Sequence, residues 1–549
     1  MCEQVSVYQE QPQLLDPVLE RLVEAMSRVL LDACTAVLGN SSSEKTAMKD
    51  QGNGEREECG ERNMRENGIG TEEVQHAAWV SRFIWKLANV RGYKVILKFM
   101  PNTVNCVETV FGMLRWLSLR EGYARQQLWE CEYVVLMWSS QLALIPFHFS
   151  VIDSSSLTKE ESKDRDSVPP LAGMLIDLCK QYLEAASSAR EMAAITLGKL
   201  LTRPDMGTAL SNFGLWCESV LKSLDSGEDN VTTSGGANGS KILFLIPGVM
   251  FTLATIFKTG RGKNVEMLVY RLVPYGISIY QSSKYENNSL VRKLCIKIVQ
   301  RGALVCASPT SEDVKSLGRY EWLMDEKNQD LLETSVEAVI NGLEDKDTVV
   351  RWSSAKGIGR IASKLPDNFQ GQLVTSVLES LEFQGSTEST WHGGCLALAE
   401  LMRRNLVDST RVIEIVPVIQ QGLVFEIRRG YTSVGANVRD AASYVCWAMA
   451  RAHAGNLLKP VVDELAPILM AVACYDREVN CRRAASAAFQ ECVGRLGSFP
   501  HGIDILTIAD YFTVSLRNSV RFIFSFFVSF YMLLFIYIYI HIILALARY

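Results

Sequence analysis

The sequence lacks the short motifs of the common catalytic and metal-binding classes. Its six histidines are scattered, and none forms an H-E-x-x-H motif or pairs with a cysteine at zinc-ligand spacing. The stretch Gly260–Lys263 does not have the spacing of a phosphate-binding loop, and Gly68–Gly70 lacks the third glycine of a dinucleotide fingerprint. We therefore expect no cofactor, no metal and no catalytic centre formed by the chain's own residues.

Disulfide and export signals are also missing. The chain has 14 cysteines, but no two of them form a C-x-x-C pair, and several lie within apolar helical runs. The first 20 residues are polar and acidic, without the basic and then apolar pattern of a signal peptide. These features predict a cytoplasmic protein with reduced thiols.

An excess of charge of either sign is absent as well. The 56 Lys and Arg residues against 61 Asp and Glu residues leave a net charge of -5. A domain that binds nucleic acid usually carries a basic excess. The balance therefore favours a protein partner over a nucleic acid.

What the second half of the chain does contain is a repeated motif, in which Val-Arg is followed by small residues at helical spacing. It places Arg351, His392, Arg439 and Arg482 at one position, with histidine replacing arginine in one copy. The steps between them are 41, 47 and 43 residues, which is the period of two-helix HEAT or armadillo repeats. Because no two-residue apolar alternation is sustained anywhere, the sequence predicts an all-α fold, a HEAT/armadillo-type α-solenoid of stacked helix pairs.

The first arginine of each copy has a structural interpretation. Asp347 and Arg351 are i, i+4 neighbours, a spacing at which opposite charges meet on a helix. We predict that each arginine binds the aspartate of its own or the adjacent repeat. The resulting ladder, which holds the stack in register, comprises Asp347, Arg351, Arg439, Asp476 and Arg482.

Other cations near these motifs have a functional interpretation. We predict that they face a concave surface and bind an acidic partner, while the alternative of plain solvated side chains stays open. The candidates are Lys356, Arg360, Arg428, Arg429 and Arg483.

Composition divides the chain into segments. We expect an N-terminal helical segment at 1–39, a polar linker at 40–73, divergent helical repeats at 74–300 with loops at 153–170 and 225–240, HEAT repeats at 301–515 and an apolar tail at 516–549. Residues 522–547 carry no formal charge and, as a helix, would be long enough to cross a hydrocarbon core of about 30 Å. Three explanations stay open for this run: a segment foreign to the fold such as translated intron sequence, a membrane anchor, or a buried helix.

Several strings are more specific than a generic repeat requires. They are VVRWSSAKGIGRIASKLP at 349–366, WHGGCLALAEL at 391–401, NVRDAASYVCWAMARA at 437–452 and CRRAASAAFQECVGR at 481–495, with YQEQPQLLDP at 8–17, VRGYK at 90–94, RKLCIKIVQR at 292–301 and FPHGIDIL at 499–506. Together they resemble the tubulin-folding cofactor D family over about residues 8–517. Family members continue with more helical repeats, so the chain looks like the N-terminal portion of such a protein.

The resemblance implies a cytoplasmic, microtubule-associated chaperone of the post-chaperonin tubulin pathway. It implies that the protein captures β-tubulin, joins it to α-tubulin held by cofactor E, and acts with cofactor C to promote GTP hydrolysis on β-tubulin. An Arf-like small GTPase is a further implied partner. The alternative, which depends on residues 522–547 being a genuine membrane segment, is a membrane-anchored HEAT-repeat adaptor for another protein cargo.

Overall fold

The computed structural model describes residues 2–49, 71–153, 168–225, 237–309, 315, 318–382, 386–453, 455–496 and 502–507. The chain divides into two compact units, Met1–Ile298 and Val299–Tyr549. Within the described ranges every regular element is helical except one two-stranded hairpin. The predicted all-α class is therefore confirmed, with this hairpin as the exception.

The first unit is built from packed α-helices. Its α-helices are α1 Cys2–Ser6, α2 Asp16–Lys49, α3 Glu72–Leu87, α4 Tyr93–Leu97, α5 Asn105–Ser118, α6 Gly122–Gln127, α7 Trp129–Leu142, α8 Phe149–Ile152, α9 Pro170–Tyr182, α10 Ala189–Leu201, α11 Gly207–Asp225, α12 Ala237–Thr259, α13 Lys263–Gln281 and α14 Ser289–Cys306, which crosses the boundary between the units. Short 3-10 segments lie at Val7–Gln9, Pro12–Leu15, Pro204–Met206 and Ser283–Tyr285, with a π-helical turn at Ala88–Gly92. Helix α7 packs against α3, α5 and α10, and its Trp138 is fully buried.

Parts of the expected linkers of the first unit are helical in the structure. Helix α2 continues to Lys49, into the range 40–73 that the sequence predicted to be a linker. Helices α9 and α12 begin at Pro170 and Ala237, within the expected loops. The remainder of these linkers, residues 50–70, 154–167 and 226–236, lies outside the described residues.

The second unit repeats one helix pair. Its elements are α15 Arg319–Met324, α16 Glu326–Asn341, α17 Thr348–Ala362, α18 Asp367–Glu382, α19 Glu388–Met402, a 3-10 segment Ser409–Arg411, α20 Val412–Leu423, β1 Ile427–Arg429, β2 Thr432–Val434, α21 Ala436–Ala452, α22 Gly455–Tyr475 and α23 Val479–Leu496. The second helices α17, α19, α21 and α23 pack one on the next, and each first helix α16, α18, α20 and α22 packs on the second helix that follows it. This is the arrangement that two-helix repeats predict.

Helix α19 shows why small residues recur in the second helices. It packs against α17, α21 and α18, and nearly all of its side chains are buried. A Cβ at Gly393 would overlap the carbonyl oxygen of Leu343, and a Cβ at Gly394 would overlap the side chain of Leu381. Glycine at these positions lets neighbouring backbone and side chains approach more closely than any other residue allows.

The hairpin between α20 and α21 is an element that the sequence prediction missed. Strands β1 and β2 are antiparallel, with Arg429 opposite Thr432 across a two-residue turn. Gly430 has a φ of 60°, and Tyr431 does not have a positive φ. This combination is a type II′ turn, whose twist matches that of the flanking strands.

The apolar run at 522–547 lies outside the described residues, as does the rest of the expected tail at 516–549. In the part of the chain that the structure describes, no helix combines the length and apolarity needed to span a bilayer.

Candidate functional site

Arg351 joins the turn of its own repeat to the next repeat. Its Nη1 donates hydrogen bonds to the carbonyl oxygens of Asp345 at 2.6 Å and Lys346 at 2.9 Å, both in the turn between α16 and α17. Its Nε donates to Nδ1 of His392 on α19 at 2.8 Å, and two hydroxyl groups complete the set. The buried guanidinium therefore holds the turn closed and fixes it against α19.

His392 is the hydrogen-bond partner of Arg351 in this structure, although the repeated motif places it at the arginine position of its own repeat. Its Nδ1 accepts the hydrogen bond from Arg351, so this nitrogen carries no proton. Burial, and secondly the positive charge of Arg351, lower the pKa of His392 to about 4. The ring is therefore neutral at physiological pH.

Arg439 and Arg482 take corresponding positions in later repeats. Arg439 Nη1 donates to the carbonyl oxygen of Phe425 at 2.9 Å, and its Nε and Nη2 donate to the carboxylate of Asp476 at 2.5 and 3.1 Å. Arg482 Nη1 donates to the carbonyl oxygens of Asp476 at 2.7 Å and Arg477 at 3.2 Å. Burial acts to lower the pKa of Arg439, but the hydrogen bonds and charge of Asp476 outweigh it and raise the pKa.

The hydrogen bonds show which acidic residues are equivalent between repeats, and the result differs from the equivalence that the motif spacing predicts. The carboxylate of Asp345 accepts a bond from the backbone N–H of Asp347 at 2.9 Å, as that of Asp476 does from Glu478 at 2.8 Å. Asp476 is thus equivalent to Asp345, two residues before the aspartate that the ladder prediction used. Arg439 pairs with Asp476 across repeats, whereas the hydrogen bonds of Arg351 go to carbonyls, hydroxyls and a ring nitrogen.

Five cationic and aromatic side chains form a continuous row across the exposed side of α17 and α21. Lys356 Nζ lies 4.9 Å from the ring centre of Trp352, whose ring lies 5.9 Å from that of Tyr444. The ring of Tyr444 lies 5.8 Å from that of Trp447, and the guanidinium of Arg451 lies 4.7 Å above Trp447. We call this set the Trp352–Arg451 row; Lys356 and Arg451 are exposed and its three rings are half-buried.

A buried carboxylate on α19 supports the row from below. Glu400 accepts a hydrogen bond from the Tyr444 hydroxyl at 3.2 Å and pairs with Arg404. The hydroxyl and the guanidinium satisfy a charge that would be costly to bury alone. Glu400 therefore fixes the orientation of the central ring of the row.

Two of the predicted partner-binding cations lie on α17 at one end of this row: Lys356 belongs to the row, and Arg360 lies next to it. Lys356 and Arg360 are one helical turn apart and both are exposed. Burial, and secondly the charge of Arg360, lower the pKa of Arg301 to about 10. Positive charge thus accumulates at this end of the row.

The other predicted cations lie elsewhere in the second unit. Arg428 and Arg429 are exposed on β1, and Arg483 is exposed on α23. Their role in partner binding stays a prediction. Of the five candidates, the structure thus places only Lys356 and Arg360 in or next to the row.

Only Lys356 of the row was among the predicted site residues. The others, and the supporting Glu400, were not: Trp352, Tyr444, Trp447 and Arg451. A sequence signal for one contact exists, since Trp447 and Arg451 are i, i+4 neighbours on a helix. The contact between Trp352 and Tyr444 joins residues two repeats apart, and sequence periodicity alone does not reveal it.

Among the described residues, the possible metal ligands form no cluster of three, and buried thiols have raised pKa values. Across the described ranges, no group of three or more His, Cys, Asp or Glu side chains is placed to hold a metal ion. Burial raises the pKa of Cys131 and Cys395 to about 12, so these thiols stay protonated at neutral pH.

Two family profiles match the chain. One, described as "Tubulin-specific chaperone D-like, ARM repeats", matches residues 310–503, and the other, "Tubulin-specific chaperone D-like, ARM repeat", matches residues 5–221. Both descriptions name armadillo repeats. The predicted HEAT/armadillo fold class is therefore confirmed.

Curated relatives match most of the chain. "Tubulin-specific chaperone D" of Dictyostelium discoideum is 33% identical over 435 residues, which are 71% of this chain and 29% of that protein. "Tubulin-folding cofactor D" of Schizosaccharomyces pombe is 25% identical over 457 residues, which are 79% of this chain and 38% of that protein. The chain thus spans about a third of the length of these relatives.

Solved structures that match the chain include crystal structures of Kap121p bound to Ste12p and to Nup53p. Each is 12% identical to the chain and is matched over 86% of this chain and 49% of its own, with TM-scores of 0.34 and 0.35.

Proposed function

Because the chain belongs to the tubulin-specific chaperone D family, we propose that it is a scaffold that binds β-tubulin during assembly of the αβ-tubulin heterodimer. The resemblance read from the sequence is confirmed by the family profiles and the curated relatives. The scaffold works in the cytoplasm with cofactors C and E and an Arf-like small GTPase. It promotes GTP hydrolysis on β-tubulin without a catalytic residue of its own.

The observation that carries this proposal is the Trp352–Arg451 row with the cations beside it. Trp, Tyr and Arg are the side chains most often responsible for binding energy at protein interfaces. Here they lie in one continuous surface on α17 and α21, with exposed Lys356 and Arg360 at one end. Tubulin is acidic, so these cations match the charge of the proposed partner.

Electrostatics at the Arg360 end also favours an anionic partner. Burial is the main cause of the lowered pKa of Arg301, and the charge of Arg360 lowers it further, so the two cations repel each other in the free protein. A carboxylate of the partner placed near them would relieve this repulsion. Charge complementarity of this kind mainly raises the association rate and selects the partner.

A charge-reversal experiment tests the proposal. The double variant Lys356→Glu, Arg360→Glu should bind soluble β-tubulin at least about tenfold more weakly than the wild type, mostly through slower association. The matched control is Lys327→Glu, Lys459→Glu, since these lysines are also exposed but lie on the first helices α16 and α22. Association and dissociation are measured on surface-immobilised tubulin over a range of salt concentrations.

Two results would count against the proposal. Failure of the wild-type chain to bind β-tubulin, while a full-length relative binds, would place the binding site outside this segment. Equal weakening by the row variant and the control would show that binding depends on overall charge and not on this surface.

A further inference from the structure

The β1–β2 hairpin is exposed to an extent that core packing does not explain. All three residues of β1 are exposed, and the ring of Tyr431 at the turn is completely so, with a relative accessibility of 110%. Large aromatic side chains are usually buried in part even at the surface, because exposure of the ring to water is unfavourable. The hairpin therefore presents side chains outward without contributing to the core of the unit.

Two adjacent arginines on β1 have unneutralised charges. Neither guanidinium, of Arg428 or of Arg429, makes a hydrogen bond or an ion pair within the described residues. Successive side chains of a strand point to opposite faces, so the hairpin is positive on both. Glu426, the acidic residue at its base, is already paired with Arg477 at 2.5 Å.

The surroundings of β2 provide a place for an extended segment. A shallow pocket of about 330 Å³ lies beside the hairpin. Its lining includes Tyr431, Ser433 and Val434 of the hairpin, the cations Arg439 and Arg477, and the carboxylates of Glu388 and Glu478. In this two-residue hairpin Arg429 and Thr432 form the hydrogen-bonded pair next to the turn, so the backbone groups of Ser433 point away from β1. An extended chain can pair with such an outer edge.

We propose that the β1–β2 hairpin is a docking site for an acidic, extended peptide segment of a partner protein. The carboxylates of the segment pair with Arg428 and Arg429, its backbone lies along β2, and the Tyr431 ring covers one of its side chains. Arginine suits this role because its planar guanidinium binds a carboxylate through two parallel hydrogen bonds. The site is separate from the Trp352–Arg451 row and does not depend on its role.

Fluorescence anisotropy with a labelled peptide of alternating Glu and Ser tests the proposal directly. The full chain should bind this peptide, and the affinity should fall steeply with added salt because the contact is between exposed charges. The double variant Arg428→Ala, Arg429→Ala should bind at least about tenfold more weakly, and Tyr431→Ala should also weaken binding. The matched control, Lys327→Ala with Lys459→Ala, removes two exposed cations elsewhere and should bind like the wild type.

Three outcomes of the peptide measurements would overturn the proposal. These are no binding of the Glu–Ser peptide by the wild type, equal binding by the arginine double variant, and equal binding of a Gln–Ser peptide. Tighter binding of a single-stranded oligonucleotide than of the Glu–Ser peptide would assign the hairpin to nucleic acid instead. The row variant Lys356→Glu, Arg360→Glu should bind the peptide normally, so failure of the tubulin proposal and failure of this one give different results.

Discussion

Replacement of Arg351 by alanine should destabilise the second unit locally. The substitution removes a buried charged donor from two carbonyl oxygens, two hydroxyls and the His392 ring. A hydrogen bond from a charged group contributes about 1.5 to 3 kcal/mol, and carbonyls in a turn recover part of the loss by binding water. We therefore expect the packing of α17 against α19 to lose about 3 kcal/mol of stability.

Hydrogen exchange monitored by mass spectrometry is the suitable assay. Two compact units make a single unfolding free energy for the whole chain poorly defined, whereas exchange reports the opening of individual helices. A loss of about 3 kcal/mol corresponds to about a hundredfold faster exchange in α17 and α19. Peptides from the first unit should exchange at unchanged rates.

Arg360→Ala is the matched control, since it removes an exposed arginine from the same helix. It should change local stability by less than about 0.5 kcal/mol. Arg351→Lys should lie in between, because one ammonium group cannot reach the turn carbonyls and His392 together. Equal exchange rates in Arg351→Ala and Arg360→Ala would refute the structural role of Arg351.

Two further predictions concern the same pair of helices. The pKa of His392 is about 4 in the folded protein and about 6.5 in the unfolded chain, so the unfolded state binds the proton first as the pH falls. The protein should therefore lose up to about 3 kcal/mol of stability between pH 6.5 and pH 4. In thermal melts across this range the melting temperature of His392→Asn should fall less steeply with pH than that of the wild type, and identical slopes would contradict the assignment. Gly393→Ala places a methyl group against the Leu343 carbonyl oxygen and should lower stability by at least about 3 kcal/mol. The control Gly371→Ala, which has open space around it on α18, should be neutral or slightly stabilising. Similar melting temperatures for the two variants would show that α19 is not packed as closely as described.

The repeat architecture followed from the sequence because its causes are local. Apolar residues at helical spacing define each helix, and the interval of 41 to 47 residues between motif positions defines the pair. The pairing of Arg439 with Asp476 also has the geometry that the ladder prediction described. The architecture and this ion pair could both be predicted because the motif repeats, and one copy of it indicates what the next copy will contact.

The equivalence of the acidic residues was harder to predict for a physical reason. Asp345 and Asp347 both precede Arg351, and only the hydrogen bond from the Asp347 N–H to the Asp345 carboxylate distinguishes their roles. Sequence spacing alone favoured Asp347, because i, i+4 pairing is the commonest contact on a helix. The side chain of Arg351 instead turns back to the carbonyls of the preceding turn.

The hairpin carried a sequence signal that a search for helices overlooks. Ile427, Thr432 and Val434 are β-branched, and Gly430-Tyr431 between them is a two-residue turn with glycine first. The strands are three residues long, too short for a sustained alternation of apolar and polar residues. Both candidate cations on β1 were therefore identified without the element that presents them.

The most direct test of the proposed function is hydroxyl-radical footprinting of the chain alone and in complex with β-tubulin. Trp352, Tyr444 and Trp447 should lose reactivity in the complex, while Trp79 in the first unit, whose side chain is exposed, should react as before. A complex that forms with unchanged reactivity of the three row residues would contradict the claim that this surface binds tubulin.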